Sequence, residues 1–399
     1  MKKAESEKGA QAVILAAGEG QRLRPFTRYK PKVMLPIANR PILQYVVEAL
    51  EKNGIRDIVM VVGYRRQQIY DFFGDGDRFG VNIDYVVQEQ QIGTAHGLKQ
   101  AAEKVAGTFL VISGDNVVDT AIIGGLLQRE APCLVVKEQE NVSKYGVVVM
   151  EDGMVRQVLE KPARAPSHLV NTGIYRLNRE VFDYIGEETG LTAVLQRMVQ
   201  EGRDIGACKT GGTWLDVVYP WDILKLNSLA LQNVAPSIAG QVEEGVVIKG
   251  PVTIGKGSVI RANTYIVGPA AIGSGCEIGP SVCIFPGSSI GNSVSIFPFS
   301  ELRNSVIADG VQVGSGSSIH DSVIDKNCVI GGRFSAVSGP AEVKVEGEHH
   351  KVTVGAMLGE GCRIEENVSV RPGVIVGNGA RVAALNVIRT SLPDECLVV

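Results

Sequence analysis

At 399 residues the chain exceeds one ordinary domain, and a 45% hydrophobic content supplies enough apolar side chains for two sizeable cores. A net charge of −3 gives no general attraction to nucleic acid or membrane surfaces, and no run nears the ~18 apolar residues of a membrane span. Seven cysteines without a Cys-x-x-Cys pair read as reduced, mostly buried thiols of a cytoplasmic protein, and the five histidines, scattered apart from His349-His350, suggest no metal cluster.

Residues 1–9 form a charged tail without an apolar centre, unlike a secretory leader. Ala12 to Ala16 is a short apolar run of the kind that makes a buried parallel strand. Past Leu15 and Ala17 a loop opens with Gly18 and Gly20, where bare backbone N–H groups can approach a phosphate closely. Arg22, Arg24, Arg28, Lys30 and Lys32 follow. Backbone donors combined with fixed positive charge suit a polyanion, and a triphosphate is the first candidate. A dinucleotide-binding turn would need a third glycine where Leu23 stands and a helix where Pro25 stands. It would also need an acid at the end of the next strand, which instead closes with Val61-Val62-Gly63. A basic loop without a ligand is the bland alternative.

Ile42, Val46, Ala49 and Leu50 share one helical face, and Gly54 ends the helix expected over 42–52. Strands are expected at 57–62, 82–88 and 108–112, with a helix at 67–73. Alternation of this kind predicts a parallel sheet covered by helices on both faces, with ligands at the carboxyl ends of its strands. Leu15–Gly18, Gln88 and Asp115 all lie at such ends. An Asx turn is the plain alternative for Asp115.

From Ile248 onward the period changes. An aliphatic residue recurs at every sixth position from Ile248 to Leu302, continues with two five-residue steps through Ile307, Val313, Ile319, Ile324 and Ile330, and resumes from Leu358 to Val382. Neither a helix nor a flat strand gives this period; a parallel β-helix does. The boundaries read as a first domain over 10–232, a linker over 233–245, a β-helix over 246–383 with a polar insertion at 333–353, and a tail over 384–399. The tail carries no period and is expected to cap or dock.

Leu15-Ala16-Ala17-Gly18-x-Gly20-x-Arg22, followed by Lys32 ahead of Leu35-Pro36, resembles the signature of the sugar-1-phosphate nucleotidylyltransferases. The resemblance runs to about residue 230. It is nearest to the archaeal two-domain glucose-1-phosphate thymidylyltransferases and similar in layout to bifunctional N-acetylglucosamine-1-phosphate uridylyltransferases. It implies an α/β fold, a Rossmann-like nucleotidyltransferase sheet followed by a left-handed parallel β-helix. The implied reaction joins a sugar 1-phosphate, glucose 1-phosphate foremost, to dTTP or UTP. Asp115 and Asp216, the latter in Gly211-Gly212-Thr213-Trp214-Leu215-Asp216, would hold Mg²⁺. Asp222 is a decoy, placed where a helix starts. Lys161, in the Glu160-Lys161-Pro162 motif that the family uses at the sugar phosphate, and Lys32 would be the cations for the acceptor and α-phosphates, and Arg22 would cover the departing pyrophosphate. Leu15, Ala17, Gly18, Gly20, Gln88, Gly93 and Thr94 would line the nucleotide, and Gly146, Glu160 and Asn171 the sugar.

Two other readings stay open at this stage. In bifunctional relatives the β-helix acetylates an amino sugar, but the expected histidine falls on Phe299 or Ser315, and the expected turn reads Gly331-Gly332-Arg333-Phe334. His320 nearby reads as structural. A silent regulatory subunit would have lost charges that this chain keeps. The β-helix is expected to drive a homotrimer or higher homo-oligomer.

Overall fold

The computed structural model describes residues 10–140 and 142–399, so the charged tail expected at 1–9 lies outside it. The chain divides into two compact units. One takes the chain up to Glu19, Lys30–Met34 and Ile42–Asp216; the other takes Gly20–Tyr29, Leu35–Pro41 and Val217–Val399.

The first unit is built on a nine-stranded sheet. In chain order its elements begin with β1 (Gln11–Ala16), α1 (Ile42–Glu51), β2 (Asp57–Val62), α2 (Gln67–Phe73), β3 (Asn82–Val87), α3 (Thr94–Gln100) and β4 (Thr108–Ser113). They continue with β5 (Asn116–Val118), α4 (Thr120–Leu127), β6 (Cys133–Glu138), β7 (Gly146–Glu151), β8 (Met154–Glu160) and β9 (Leu169–Asn178). The last are α5 (Val181–Ile185), α6 (Leu191–Gln200), β10 (Gly206–Thr210) and β11 (Trp214–Asp216). The spatial order is β3-β2-β1-β4-β9-β6-β10-β8-β7, and the β3-β2-β1-β4 half is parallel. β1, β2 and β4 each hold an unbroken apolar run because both faces are covered, whereas β3, at the edge, exposes Asn82 and Asp84. Ile14, Met60 and Ile112 fall in one core, while Val13, Val59, Val61 and Val111 fall in the other.

The other half departs from the parallel expectation. β9 runs antiparallel to β4 and β6, and β7 pairs antiparallel with β8. For β7 and β8 the physical reason is local: between them stands Asp152-Gly153, with φ of 50° and 79°. Two successive positive φ values make the tight turn that matches the twist of a hairpin, so no crossover helix is needed.

The second unit holds three sheets of short parallel strands stacked coil on coil, a three-sheet parallel β-helix. On one wall Ile254, Ile272, Ile290, Ile307, Ile324, Leu358 and Val376 lie in register from coil to coil. Nearly every aliphatic position of the six-residue period is buried in one continuous core. Three differences from the expected boundaries appear. Ser237–Ile238 and Gln241–Val242 already pair with the coil above, within the stretch expected as linker. The tail continues the coil through Val387–Ile388 and Leu397–Val398. The polar insertion is a hairpin, Gly339–Val345 against Glu348–Val354, turned at Glu346-Gly347 with φ of 47° and 88°.

Also in this unit is α7 (Asp222–Gln232). Its Asn227, fully buried, accepts from the Ala38 N–H and the Ser289 hydroxyl and donates to the Gly287 carbonyl, so the burial leaves no polar atom unmet. Asp222 opens α7, as expected of it, and accepts from the Val218 and Tyr219 N–H groups ahead of the helix at 2.9 and 2.8 Å. Among the described residues no helix is long and apolar enough to cross a membrane.

Candidate active site

The carboxyl ends of β1, β3 and β4 face a cavity of about 220 Å³ in the first unit. Leu15, Ala17, Gly18, Lys32, Gln88, Gly93, Thr94 and Asp115, separate in sequence, all stand on its wall. Asp115 follows β4 through Gly114, and Lys32 Nζ lies 2.5 Å from its Oδ2, with only 18% and 25% of the two side chains exposed. A cation and an acid are thus paired beside the glycine loop, each able to face a phosphate or its counter-ion.

Gln88 is 5% exposed, and its position is held twice. Its Nε2 donates to the Gly93 carbonyl at 3.0 Å and lies 3.0 Å from His96 Nδ1. Its Oε1 faces Gly97, where a Cβ would come within 3.1 Å. Thr94 accepts from the Leu191 N–H at 2.9 Å, tying α3 to the start of α6. Gly97, Gln91, Ser113 and Val33 also line the cavity and were not singled out from the sequence. Gly97 carried a legible signal: glycine inside a helix costs roughly 1 kcal/mol relative to alanine, which asks for a packing or ligand reason.

A second group gathers on β7, β8 and β9. Gly146 opens β7 opposite Glu160 at the end of β8, and Val147 lies beside Val170 of β9, next to Asn171. A Cβ on Gly146 would stand 3.4 Å from Glu160 Oε2 and 3.5 Å from the Thr192 hydroxyl, so Thr192 joins this group too. Lys161 sits at φ 40°, an uncommon conformation for a residue with a side chain, and its Nζ lies 3.7 Å from Glu160. Asn171 is 9% exposed and turned inward: it donates to the Tyr175 hydroxyl at 2.9 Å and accepts from the Gly173 N–H at 3.1 Å. Burial raises the Tyr175 phenol well above its ordinary range, so it stays protonated as that partner.

Asp216 ends β11, which pairs antiparallel with β5 so that Asp216 lies opposite Asn116, the neighbour of Asp115. Asp216, at the end of β11, thus lies opposite the residue that follows Asp115 in the turn before β5. Gly20 and Arg22 are placed differently, in the segment that folds with the second unit. Arg22 Nε donates to Glu346 Oε2 at the hairpin turn across 2.8 Å, and this bond raises the guanidinium pKa.

The Nucleotidyl transferase family profile matches residues 11–233, more than half of the chain. The chain belongs to the sugar-1-phosphate nucleotidyltransferase family. Its β-helix matches the GMPPB C-terminal domain profile over residues 263–353. Among this nucleotidyltransferase's relatives is the Bifunctional protein GlmU of Methanococcus maripaludis, 32% identical, with 97% of this chain and 96% of that one covered. A bifunctional sugar-1-phosphate nucleotidylyltransferase/acetyltransferase of Sulfurisphaera tokodaii is also 32% identical, covering 93% and 95%. A crystal structure described as a glucose-1-phosphate thymidylyltransferase of Bacillus anthracis, with sucrose, is similar at 26% identity and a TM-score of 0.53. That similarity covers 57% of this chain and 97% of the other.

Proposed function

We propose that this nucleotidyltransferase joins a sugar 1-phosphate, glucose 1-phosphate first among candidates, to dTTP or UTP and releases pyrophosphate. The reading is carried by one observation, the convergence of Gly18, Lys32, Gln88, Gly93 and Asp115 on a single cavity at the strand ends. An oxygen of the sugar phosphate, already ionised, attacks the α-phosphorus. The bond to the β-phosphate oxygen breaks, and its electron pair leaves with pyrophosphate. No covalent enzyme intermediate is required, so the protein's work is to hold two anions together and neutralise developing charge.

In this reading Lys32 and Lys161 take the α- and acceptor phosphates, while Gly18 and Gly20 offer backbone N–H groups. Arg22 takes the leaving pyrophosphate. Its present partner does not prevent this: an ion pair with side chains 40% and 44% exposed is worth at most about 1 kcal/mol, which a polyphosphate outcompetes. Gln88 Oε1 suits the ring N–H of a uracil or thymine, and the Gly93 carbonyl fixes the amide so that the acceptor atom faces inward. Glu160, Thr192 and the Gly146 backbone offer sugar contacts, with the inward-turned Asn171 contributing least.

Asp115 and Asp216 fit Mg²⁺, a hard cation that takes oxygen ligands and commonly only one or two carboxylates beside phosphate oxygens and water. Among the described residues no group of three or more His, Cys, Asp or Glu could hold a metal, which agrees with a site completed by substrate. Bound there, the ion would neutralise charge on the phosphates as a Lewis acid.

The test is a panel of triphosphates against several sugar 1-phosphates, read by pyrophosphate release with Mg²⁺ and with chelator. Release is expected with dTTP or UTP and to vanish with chelator; silence across the panel would favour the regulatory-subunit reading. The names of the relatives also raise acetyl transfer. Here Phe299 and Ser315 offer no imidazole, and His320 lies against Glu301 at 3.0 Å, so thiol release from acetyl-CoA with glucosamine 1-phosphate is expected at background.

We also propose that the β-helix assembles the chain into a homotrimer or higher homo-oligomer. Phe297 and Phe299 stand 47% and 73% exposed on it, and Phe299 holds a φ of 63° that a side chain disfavours. Sedimentation should give at least three times the 42.6 kDa chain; a monomer or dimer at micromolar concentration would refute it.

A further inference from the structure

Tyr145 stands immediately ahead of Gly146, and its phenol donates to Asp216 Oδ1 across 2.9 Å. Its ring rests on Trp214, with centroids 5.4 Å apart at 60°, and Trp214 is 2% exposed in the core. A turn bond from the Tyr145 N–H to the Val142 carbonyl, 3.0 Å, fixes the backbone beneath the ring. From the other side, the ladder to Asn116 sets the Asp216 backbone.

We propose that Tyr145 is a positioning residue that sets the plane of the Asp216 carboxylate for the metal ion. The inference rests on the Mg²⁺-dependent reading given above. A carboxylate on a short side chain can swing about two torsions, and an ion with near-ideal octahedral demands is sensitive to that swing. The phenol limits that swing, because its own ring rests on Trp214. The bond also runs from the first residues of the expected sugar site to the expected metal site. Seating a sugar phosphate against Gly146 and orienting Asp216 therefore share one side chain, and metal affinity and sugar-phosphate KM move together.

Tyr145→Phe keeps the ring on Trp214 and removes only the hydroxyl. Such outer hydrogen bonds to metal ligands typically cost about 10–100-fold in metal affinity when lost. Mn²⁺ titrations followed by electron paramagnetic resonance are expected to show a loss of roughly tenfold or more in the variant, with an unchanged melting temperature. Raising Mg²⁺ is expected to restore kcat, which a disordered site would not allow. Asp216→Ala is the reference. If it abolishes a Mn²⁺ site that Tyr145→Phe leaves within about twofold of the wild type, well short of the expected range, the Tyr145 role is refuted. If the wild type shows no Mn²⁺ site that Asp216→Ala weakens, the metal reading fails, and the Tyr145 role with it.

Discussion

Asp115→Ala is expected to lower pyrophosphate release by about 10²–10³-fold at saturating substrate, the usual loss for one preorganised charge contact at a reacting centre. The protein is expected to remain folded. Asp115 sits after β4 rather than in it, and its one tight partner is Lys32 at 2.5 Å. Removing one partner of a pair this buried costs about 3–5 kcal/mol at most, a loss that lowers the melting temperature while nine strands and two apolar cores keep the fold. Asp216→Ala is expected to behave alike, because the pairing of β11 with β5 sets it opposite Asn116. The sharper test is the double variant. Two carboxylates holding one ion act as a unit, so removing both is expected to cost little more than removing either. Independent, multiplying losses would dissolve the shared site, and single-variant turnover within tenfold of the wild type, below the expected 10²–10³, would remove Asp115 from the chemistry.

Much of this architecture could be read from the chain, for physical reasons that also explain what could not. The β-helix was legible because each inward side needs one aliphatic residue per six, a spacing kept everywhere from Ile248 to Ile330 except at two five-residue steps. Its first coil was missed because an end coil has no neighbour beyond it: Ile238 and Val242 are 55% and 36% exposed, so their pattern is weak. The tail was missed because the spacing shifts after Ile388, although Leu392 and Val398 still pack against the core. The β7–β8 hairpin did leave a mark, Asp152-Gly153, the residue pair that a tight hairpin turn favours. In the site, the glycine loop, Gln88 and Asp115 were legible as strand ends. The partner of Arg22 was not: Glu346 belongs to an insertion whose polar alternation reads as a loop, and nothing local links the two.

Gly93→Ala and Gly18→Ala are expected to fail in different ways, and the difference tests whether the cavity is a nucleotide site. Gly93 holds φ 153°, and a Cβ there would lie 2.1 Å from the Thr189 carbonyl oxygen. That carbonyl cannot swing aside, because it accepts from the Ala95 N–H at 2.8 Å and is part of the backbone. Backbone strain of about 1–3 kcal/mol adds to an overpacking cost of similar size, so a loss of roughly 2–6 kcal/mol in stability is expected. Any relaxation moves the Gly93 carbonyl that holds Gln88, so nucleotide affinity falls with stability. Gly18 has no such need: its φ is not positive, and a Cβ would meet nothing within 4 Å. A methyl group there strains nothing in the protein, yet it stands where a phosphate must approach the backbone. The melting temperature of Gly18→Ala is therefore expected to stay at the wild-type value. Its nucleotide Kd is expected to rise about ten- to a hundredfold, the equivalent of roughly 1–3 kcal/mol of steric cost. Calorimetric titration with dTTP or UTP checks both variants, and unaltered affinity in Gly18→Ala would mean that no phosphate reaches this loop.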